Sequence, residues 1–377
     1  MKTRLWICTA LAAILVGGVC QAQNRRMFGR PDCPPPCDCP PAYPPAAPST
    51  DMTKPPTDLS AQPPQSNAFN EALASAGEGG TQPAAGYMPG FFGDILGGFT
   101  ATQVTTSTSD GPITVHVPNG SQVAGFEISE NESPRPVDRI FYNYNFYGNI
   151  IISPDAFIQK LQVNRHVIGF EKTFLDGNAS VGMRLPFLSM GGDPGLQTAF
   201  TGDVSFVFKY AFYNNLETGN LFSGGLVVTC PTGGSAAFVD PFSNQVTTVL
   251  PPSALAILQP WLGFIYNFTP NLYVHGFNST SVPIDASDVT FMSNDVGLGY
   301  WFYRGAGSLR GVVPTVEIHV NTPFDHRNTG PIIMGDQLTL TAGSYFLFSH
   351  AVFGGAVGIP LVGPNQIEAL ASINWRF

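Results

Sequence analysis

Charge is scarce in this chain. Only 11% of its 377 residues are Asp, Glu, Lys or Arg, against about 25% in an ordinary soluble domain. Basic residues are the scarcer sign, 17 against 26 acidic ones for a net charge of −9, which argues against a nucleic-acid partner. Beyond the first two dozen residues there is no apolar run of the roughly 20 residues that a membrane helix needs. Cysteine is sparse too: of six residues, Cys33, Cys37 and Cys39 crowd one short stretch, leaving the rest without a disulfide framework. What abounds is Gly, with 41 residues, and Phe, with 29. Low charge and many aromatics, without a helix-length apolar run, point to a surface that does not face water. A bilayer-embedded barrel has this signature, because it shows lipid only every second residue of each strand.

The chain opens "MKTRLWICTALAAILVGGVCQAQ": two basic residues, an apolar stretch from Leu5 to Val19, then small residues near Ala22. This is the pattern of a secretory signal peptide over 1–22, and Val19 is too bulky for lipid attachment at Cys20. Cleavage takes Lys2 and Arg4 and no acid, so the net charge of −9 becomes −11 in the exported protein. Residues 23–89 read as a disordered Pro/Cys-rich linker, extended and unable to pack a core. Its cysteines have C-x3-C-x-C spacing. The prolines between the first two oppose the tight turn a metal site requires, so disulfides or crosslinks are favoured, with the pairing open. Residues 90–137 form a mixed pre-barrel segment, too small for a core of its own, that either plugs a lumen or caps it on the periplasmic side. In it "FFGDILGGF" suggests a short helix, and "PITVHV" and "QVAGFEIS" suggest two strands around the turn "PNG".

From 138 to 377 the pattern changes. Twelve stretches, from "DRIFYNYNFYG" to "QIEALASINWRF", each read as a strand bounded by Gly, Pro, Asn or Asp. The fold expected is all-β, a transmembrane antiparallel up-and-down β-barrel of about 12 strands. In "GDVSFVFKYAFY", Val204, Phe206, Phe208, Tyr210 and Phe212 share one face, and Asp203, Ser205, Val207, Lys209 and Ala211 the other. Aromatics gather at strand ends, as in Tyr210, Phe212 and Tyr213, or Tyr300 through Tyr303, as in interfacial girdles. The last strand carries its largest rings at the chain terminus, where most chains fray. Closure against the first barrel strand would hold it on both edges. Ile373, Trp375 and Phe377 are the candidate membrane-insertion signal, read by the barrel-assembly machinery, and outer-membrane lipids are the expected surroundings.

The candidate lumen-lining groups are Arg184, Lys209, Asp295, Glu317, His319 and Arg376, each alternating with apolar neighbours. Mixed signs on that wall argue against a strongly ion-selective pore. A barrel of this size lies between eight-stranded ones that fill with side chains and wide porins, so small solutes at most should pass. Enzyme chemistry is disfavoured. The best triad, His275 with Ser279 and Asp285 or Asp288, places two members four residues apart on one strand, about 13 Å. Glu317 and His319 read as wet lumen residues rather than metal ligands, Cys230 as a small apolar filler, and no cofactor is expected.

Three stretches, "GFEKTFLDGNASVGMRLPF", "GDVSFVFKYAFY" and "SGGLVVTCPTGG", resemble successive strands of the outer-membrane barrels associated with meta-cleavage phenol degradation. Gly202, Asp203, Lys209 and Tyr210 match the family's GD-x5-KY strand, and Pro231, Thr232 and Gly233 its Pro-Thr-Gly strand end. The likeness covers about 169–377, and the long leader resembles an expanded version of planctomycete-like bacteria. The resemblance implies a cell-outer-membrane, porin-like protein that passes or binds small, often hydrophobic or aromatic solutes. The alternatives are a non-transporting structural barrel tethered through the linker and an outer-membrane hydrolase.

Overall fold

The computed structural model describes residues 89–94, 101–108, 111–118, 127–150, 161–192, 196–239, 246–250, 256–284, 289–325, 336–362 and 367–377. The expected signal peptide and nearly all of the linker, with its three cysteines, lie outside these. A separate hairpin comes first, β1 (Ala101–Thr108) against β2 (Gly111–Pro118). The barrel then uses β3 (Arg139–Ile150), β4 (Leu161–Phe174) and β5 (Ala179–Gly192). After β6 (Leu196–Thr201) come β7 (Val204–Asn214) and β8 (Leu221–Cys230). After β9 (Ala236–Val239) and β10 (Val246–Leu250) come β11 (Ile257–Asn267), β12 (Leu272–Pro283) and β13 (Thr290–Tyr300). The two-residue β14 (Tyr303–Arg304) precedes β15 (Leu309–Asp325), β16 (Gln337–Phe348), β17 (Ala351–Val362) and β18 (Ile367–Arg376).

The twelve stretches singled out in the sequence are the twelve barrel strands: β3, β4, β5, β7, β8, β11, β12, β13, β15, β16, β17 and β18. Each pairs antiparallel with the next, and the ring closes where β18 meets β3, from Ile367 opposite Gly148 to Arg376 opposite Arg139. A terminal strand would present an open edge in lipid; here both its edges are paired, as the bilayer demands. Simple succession is interrupted ahead of β7: β6, which leads into it, also pairs with β5 and carries the β9–β10 hairpin on its other edge, while the short β14 adds to β15. Ahead of β7 the Gly-Asp and Pro-Thr-Gly motifs meet. Asp203 Oδ1 accepts from the amides of Thr232 (2.9 Å) and Gly233 (2.7 Å), so a carboxylate takes up two backbone donors freed where β8 leaves the ladder.

The barrel is polar or packed inside and apolar outside. Along β15, Val316 and Ile318 are each 49% exposed, whereas Thr315, Glu317 and His319 between and beside them are buried. Leu298, Phe170, Ile168, Val296 and Ile373 continue this outer face. At one end the strands join through tight turns, 175–178, 215–220, 268–271 and 349–350. A belt of exposed rings surrounds that end: Tyr210, Phe212, Tyr213, Tyr266, Tyr300, Phe302, Trp375 and Phe377. Such rings suit an interface that is apolar on one side and wet on the other. Trp301 departs from the expected girdle. It is buried in an inward cluster with Tyr273, Val313 and Leu347, because it continues the inward parity of Asp295, Gly297 and Gly299.

Two local expectations meet a different structure. The stretch "PITVHV" is a strand, and it pairs with the Thr-rich β-branched run 101–108. The turn after it and most of the expected second strand, 119–126, lie outside the described residues, and Glu127–Glu130 form a turn. Residues 91–94 do not start a helix. Gly93 has φ +82, and the amides of Phe92 and Gly93 are both bonded to a carboxylate of the barrel wall.

Leu298→Lys and Ile318→Lys should each impair assembly, since a lysine on the lipid face costs about 2–4 kcal/mol near the bilayer midplane. Heat-modifiability on gels checks this: the variants should lose the compact band that the parent keeps before boiling.

Candidate functional site

The barrel interior is occupied by two stretches of the chain that precedes it, 89–94 and 127–138. They pair with each other first. The Phe91 amide donates to the Glu132 carbonyl (2.7 Å) and the Asn131 amide to the Phe92 carbonyl (3.3 Å). The contact is so close that a Cβ on Gly93 would stand 2.6 Å from the Glu130 Cα, so only glycine fits, in the left-handed region it alone adopts freely. Asn131, at φ 47, makes the reverse bend. Pro134 and Pro136 then hold the chain extended into Asp138 and β3.

Two adjacent rings anchor this plug. Phe91 stacks on His275 (centroids 3.8 Å, 17°) and Phe92 on Tyr345 (4.1 Å, 9°). Phe91 belongs to an inward cluster with Ile128, Val207, Val227, Trp261 and Phe277. Phe92 completes the apolar cluster toward the tight-turn end, which includes Ile265, Tyr273, Val313, Leu347 and Leu370. A residual cavity beside it, lined by Asn131, Asn143, Asn145 and Ser372 among others, has a volume of about 10 Å³, room for about one water.

The charges inside are sorted by side. Adjacent strands β3, β4, β5 and β7 present Arg139, Arg165, Arg184 and Lys209, all buried. The plug supplies the counter-ions. Glu130 pairs with Arg165, and Glu132 pairs with Arg184, with Lys209 and with Arg139 (2.6 Å). Glu171 of β4 adds contacts to Arg139 (3.0 Å) and Lys209 (2.9 Å). Burial alone would raise the Glu132 carboxyl, but Arg139, Lys209 and Arg184 outweigh it and bring it down from 4.5 to about 2. A mutual bond between the Asn131 and Asn374 side chains ties the plug to β18 (3.1 and 3.0 Å). Nearby, the Arg135 guanidinium reaches Asn214 Oδ1 (2.7 Å) and the Gly219 carbonyl (2.8 Å), and burial lowers it to about 10.

The opposite wall is acidic, through Asp295 of β13 and Glu317 of β15. Glu317 accepts from the Phe92 amide on both oxygens (2.9 and 3.0 Å) and from Gly93 (3.1 Å). His319 Nδ1 lies 2.8 Å from Asp295 Oδ1, and its Nε2 lies 3.3 Å from Glu317 Oε2. The plug brings two further acids to this wall, Asp94 and Glu127. Burial, then the charges of Asp295 and Asp94, push the Glu127 carboxyl well above its usual range.

Of the six candidate lumen groups, Arg184, Lys209, Asp295, Glu317 and His319 are buried against the plug, and Arg376 is buried on β18, its amide donating to the His350 carbonyl (2.7 Å). Their signs are segregated rather than mixed, because the two halves of the wall face different halves of the plug. Ile373, Trp375 and Phe377 are exposed on the outer face. His275 and Ser279 both point inward but do not meet. Neither ring nitrogen of His275 has a hydrogen-bond partner, and Ser279 Oγ receives Gln259 Nε2 (3.0 Å); Asp285 and Asp288 lie outside the described residues. Cys230 is buried beside Val228 and Ala256. Sequence reasoning missed Glu127, Glu130 and Glu132. The only signal was three acids within six residues of a segment with no basic residue to pair them until Arg135.

No protein-family model and no curated protein matches the sequence. Among solved structures, an outer-membrane channel from Pseudomonas putida F1 covers 64% of this chain and 96% of its own at 12% identity, with a TM-score of 0.47. The β domain of the Bordetella autotransporter BrkA covers 64% and 100% at 13% identity, TM-score 0.43. A deletion mutant of the monoaromatic hydrocarbon channel TodX covers 77% and 100% at 11% identity, TM-score 0.38.

Removing one partner of a buried charge network costs about 3–5 kcal/mol. Glu132→Gln should therefore free the plug, with amide hydrogen exchange over 127–135 faster by about a hundredfold or more at pH 7. The parent should show the same change only in acid. The Glu132 carboxyl is depressed in the folded state, so its stabilisation is complete above pH 4.5 and disappears as pH falls toward about 2.

Proposed function

We propose that this chain is an outer-membrane barrel that passes or binds small, weakly polar or aromatic solutes, with the segment before the barrel as its gate. The observation that carries the reading is the pair of stacked plug rings. His275 and Tyr345 each offer a flat face inside the barrel, now covered by Phe91 and Phe92. A small aromatic solute presents the same face and edge and competes for the same stacking positions. The plug is held by ion pairs, hydrogen bonds and stacking, and its described residues make no ladder pairing with the wall, so it can leave without opening the barrel. Tight turns mark the periplasmic end in barrels of this type, and the plug enters from that end through Asp138. Retraction toward the periplasm is therefore the simplest opening motion. The resemblance to barrels of phenol-degrading pathways agrees with this solute class, and the terminal Ile373, Trp375 and Phe377 suit recognition by the assembly machinery.

A second reading is a structural barrel that never opens, tethered through the Pro-rich 23–89 stretch. The multiply paired Glu132 favours it, because such a network resists release. Planar-bilayer recording separates the two. On the gated reading, the parent conducts rarely. Phe91→Ala with Phe92→Ala should then raise the open fraction at least about tenfold, since each lost ring contact weakens closure by about 1 kcal/mol or more, and micromolar phenol should raise it in the parent. Silence of both proteins, with assembly intact on gels, selects the structural barrel.

A further inference from the structure

The acidic side of the lumen is not balanced in the way the basic side is. Asp94 and Glu127 of the plug face Asp295 and His319 of β13 and β15, and all four are at most 2% exposed. One ligand atom each from Asp94, Asp295 and His319 lie within 4.8 Å of one another. Glu127 interacts electrostatically with both aspartates. Counting Glu317, four carboxylates share this wall, and among the described residues the imidazole of His319 is the basic side chain that faces them. The four basic side chains of the other wall are taken by Glu130, Glu132 and Glu171.

Several of these oxygens are also without partners. Asp94 Oδ1, both oxygens of Glu127 and Asp295 Oδ2 are buried with no donor in good hydrogen-bond geometry, although the Ser293 hydroxyl stands beside Glu127, Asn321 Nδ2 reaches the other oxygen of Asp94 (3.4 Å) and His319 Nδ1 the other oxygen of Asp295 (2.8 Å). A buried carboxylate without a donor loses its hydration with nothing in return. Gathering Glu127 with Asp94 and Asp295, each of which has one oxygen left over, adds to the penalty unless a positive charge lies between them.

We infer that Asp94, Glu127, Asp295 and His319 form a divalent-cation site that clamps the plug to the barrel wall. Three carboxylates and one imidazole match a small ion that takes both oxygen and nitrogen, such as Zn²⁺ or Mn²⁺. Ca²⁺ prefers six to eight oxygens and Mg²⁺ keeps most of its water, so neither suits a dry site of this composition. Two ligands come from the plug and two from the wall. Binding therefore requires the plug to be seated, and a bound ion holds it there. Such a clamp would close the barrel whether or not the barrel ever conducts.

The test uses the full exported chain in detergent with Cys33, Cys37 and Cys39 changed to Ser, which removes thiols as a competing metal site. After stripping with a chelator, the protein is dialysed against Zn²⁺ or Mn²⁺, with Ca²⁺ and Mg²⁺ as controls. Bound metal is counted by mass spectrometry and thermal stability is followed. About one Zn²⁺ or Mn²⁺ per chain should remain, with Tm raised by roughly 5–10 °C at saturation. Asp94→Asn with Glu127→Gln should lose both the ion and the Tm response while keeping the heat-modifiable barrel band. Asp295→Asn serves as the second variant should the first fail to assemble. No ion above background in the parent overturns the proposal, and so does equal binding by an assembled variant.

Discussion

The structure depends on one fit: the interior of a twelve-strand barrel is filled by a segment of its own chain. Twelve strands enclose more space than their inward side chains can occupy, and this wall carries Arg139, Arg165, Arg184 and Lys209 on four adjacent strands. Four cations packed together, without water or counter-ions, would cost several kcal/mol each. The chain resolves both problems with one segment. Phe91, Phe92 and Ile128 supply volume where the wall is apolar, and Glu130 and Glu132 supply charge where it is basic. The barrel explains the plug and the plug explains the wall.

That division of labour places tight packing toward the tight-turn end and polarity deeper in the barrel. Phe92 sits among Tyr273, Val313, Tyr345 and Leu347, a dry seal. Beyond it the Phe92 and Gly93 amides turn to Glu317, and the chain continues to Asp94. A seal of rings alone would bind any apolar segment. The carboxylate of Glu317, accepting two successive amides, and the glycine at 93 with no room for a Cβ make the position specific for this one.

The barrel was legible because period-two alternation is a local signal, repeated twelve times and bounded each time by turn residues. Val316, Glu317, Ile318 and His319 announce inside and outside within four positions, and the lone terminal strand implied closure. The plug was not legible for the complementary reason. "GFFGD" and "ISENESPRP" have no periodicity, since irregular chain held by side-chain contacts leaves none. Their meaning resides in partners between 8 and more than 240 positions away, such as Asn131 with Arg139 and with Asn374. The 90–137 segment could be recognised as too small to stand alone, but whether it filled the lumen or capped it depended on contacts that no local pattern records.

The same contrast bears on how the charges are read. Arg184, Lys209, Asp295, Glu317 and His319 were found by their position among apolar neighbours, a test that locates a side chain but says nothing of what it meets. In an open pore those five would be solvated, and their signs would average into weak selectivity. In a filled lumen each must have a partner at hydrogen-bond distance, so sign becomes an address. Glu130 and Glu132 fit only the basic wall, while Phe91 and Phe92 bring Asp94 to the acidic one. A wall sorted in this way orients the plug as well as holding it: turning it by half a circle would place Glu132 beside Glu317 and Asp295, and take the plug's carboxylates away from Arg165 and Arg184 in the dry interior.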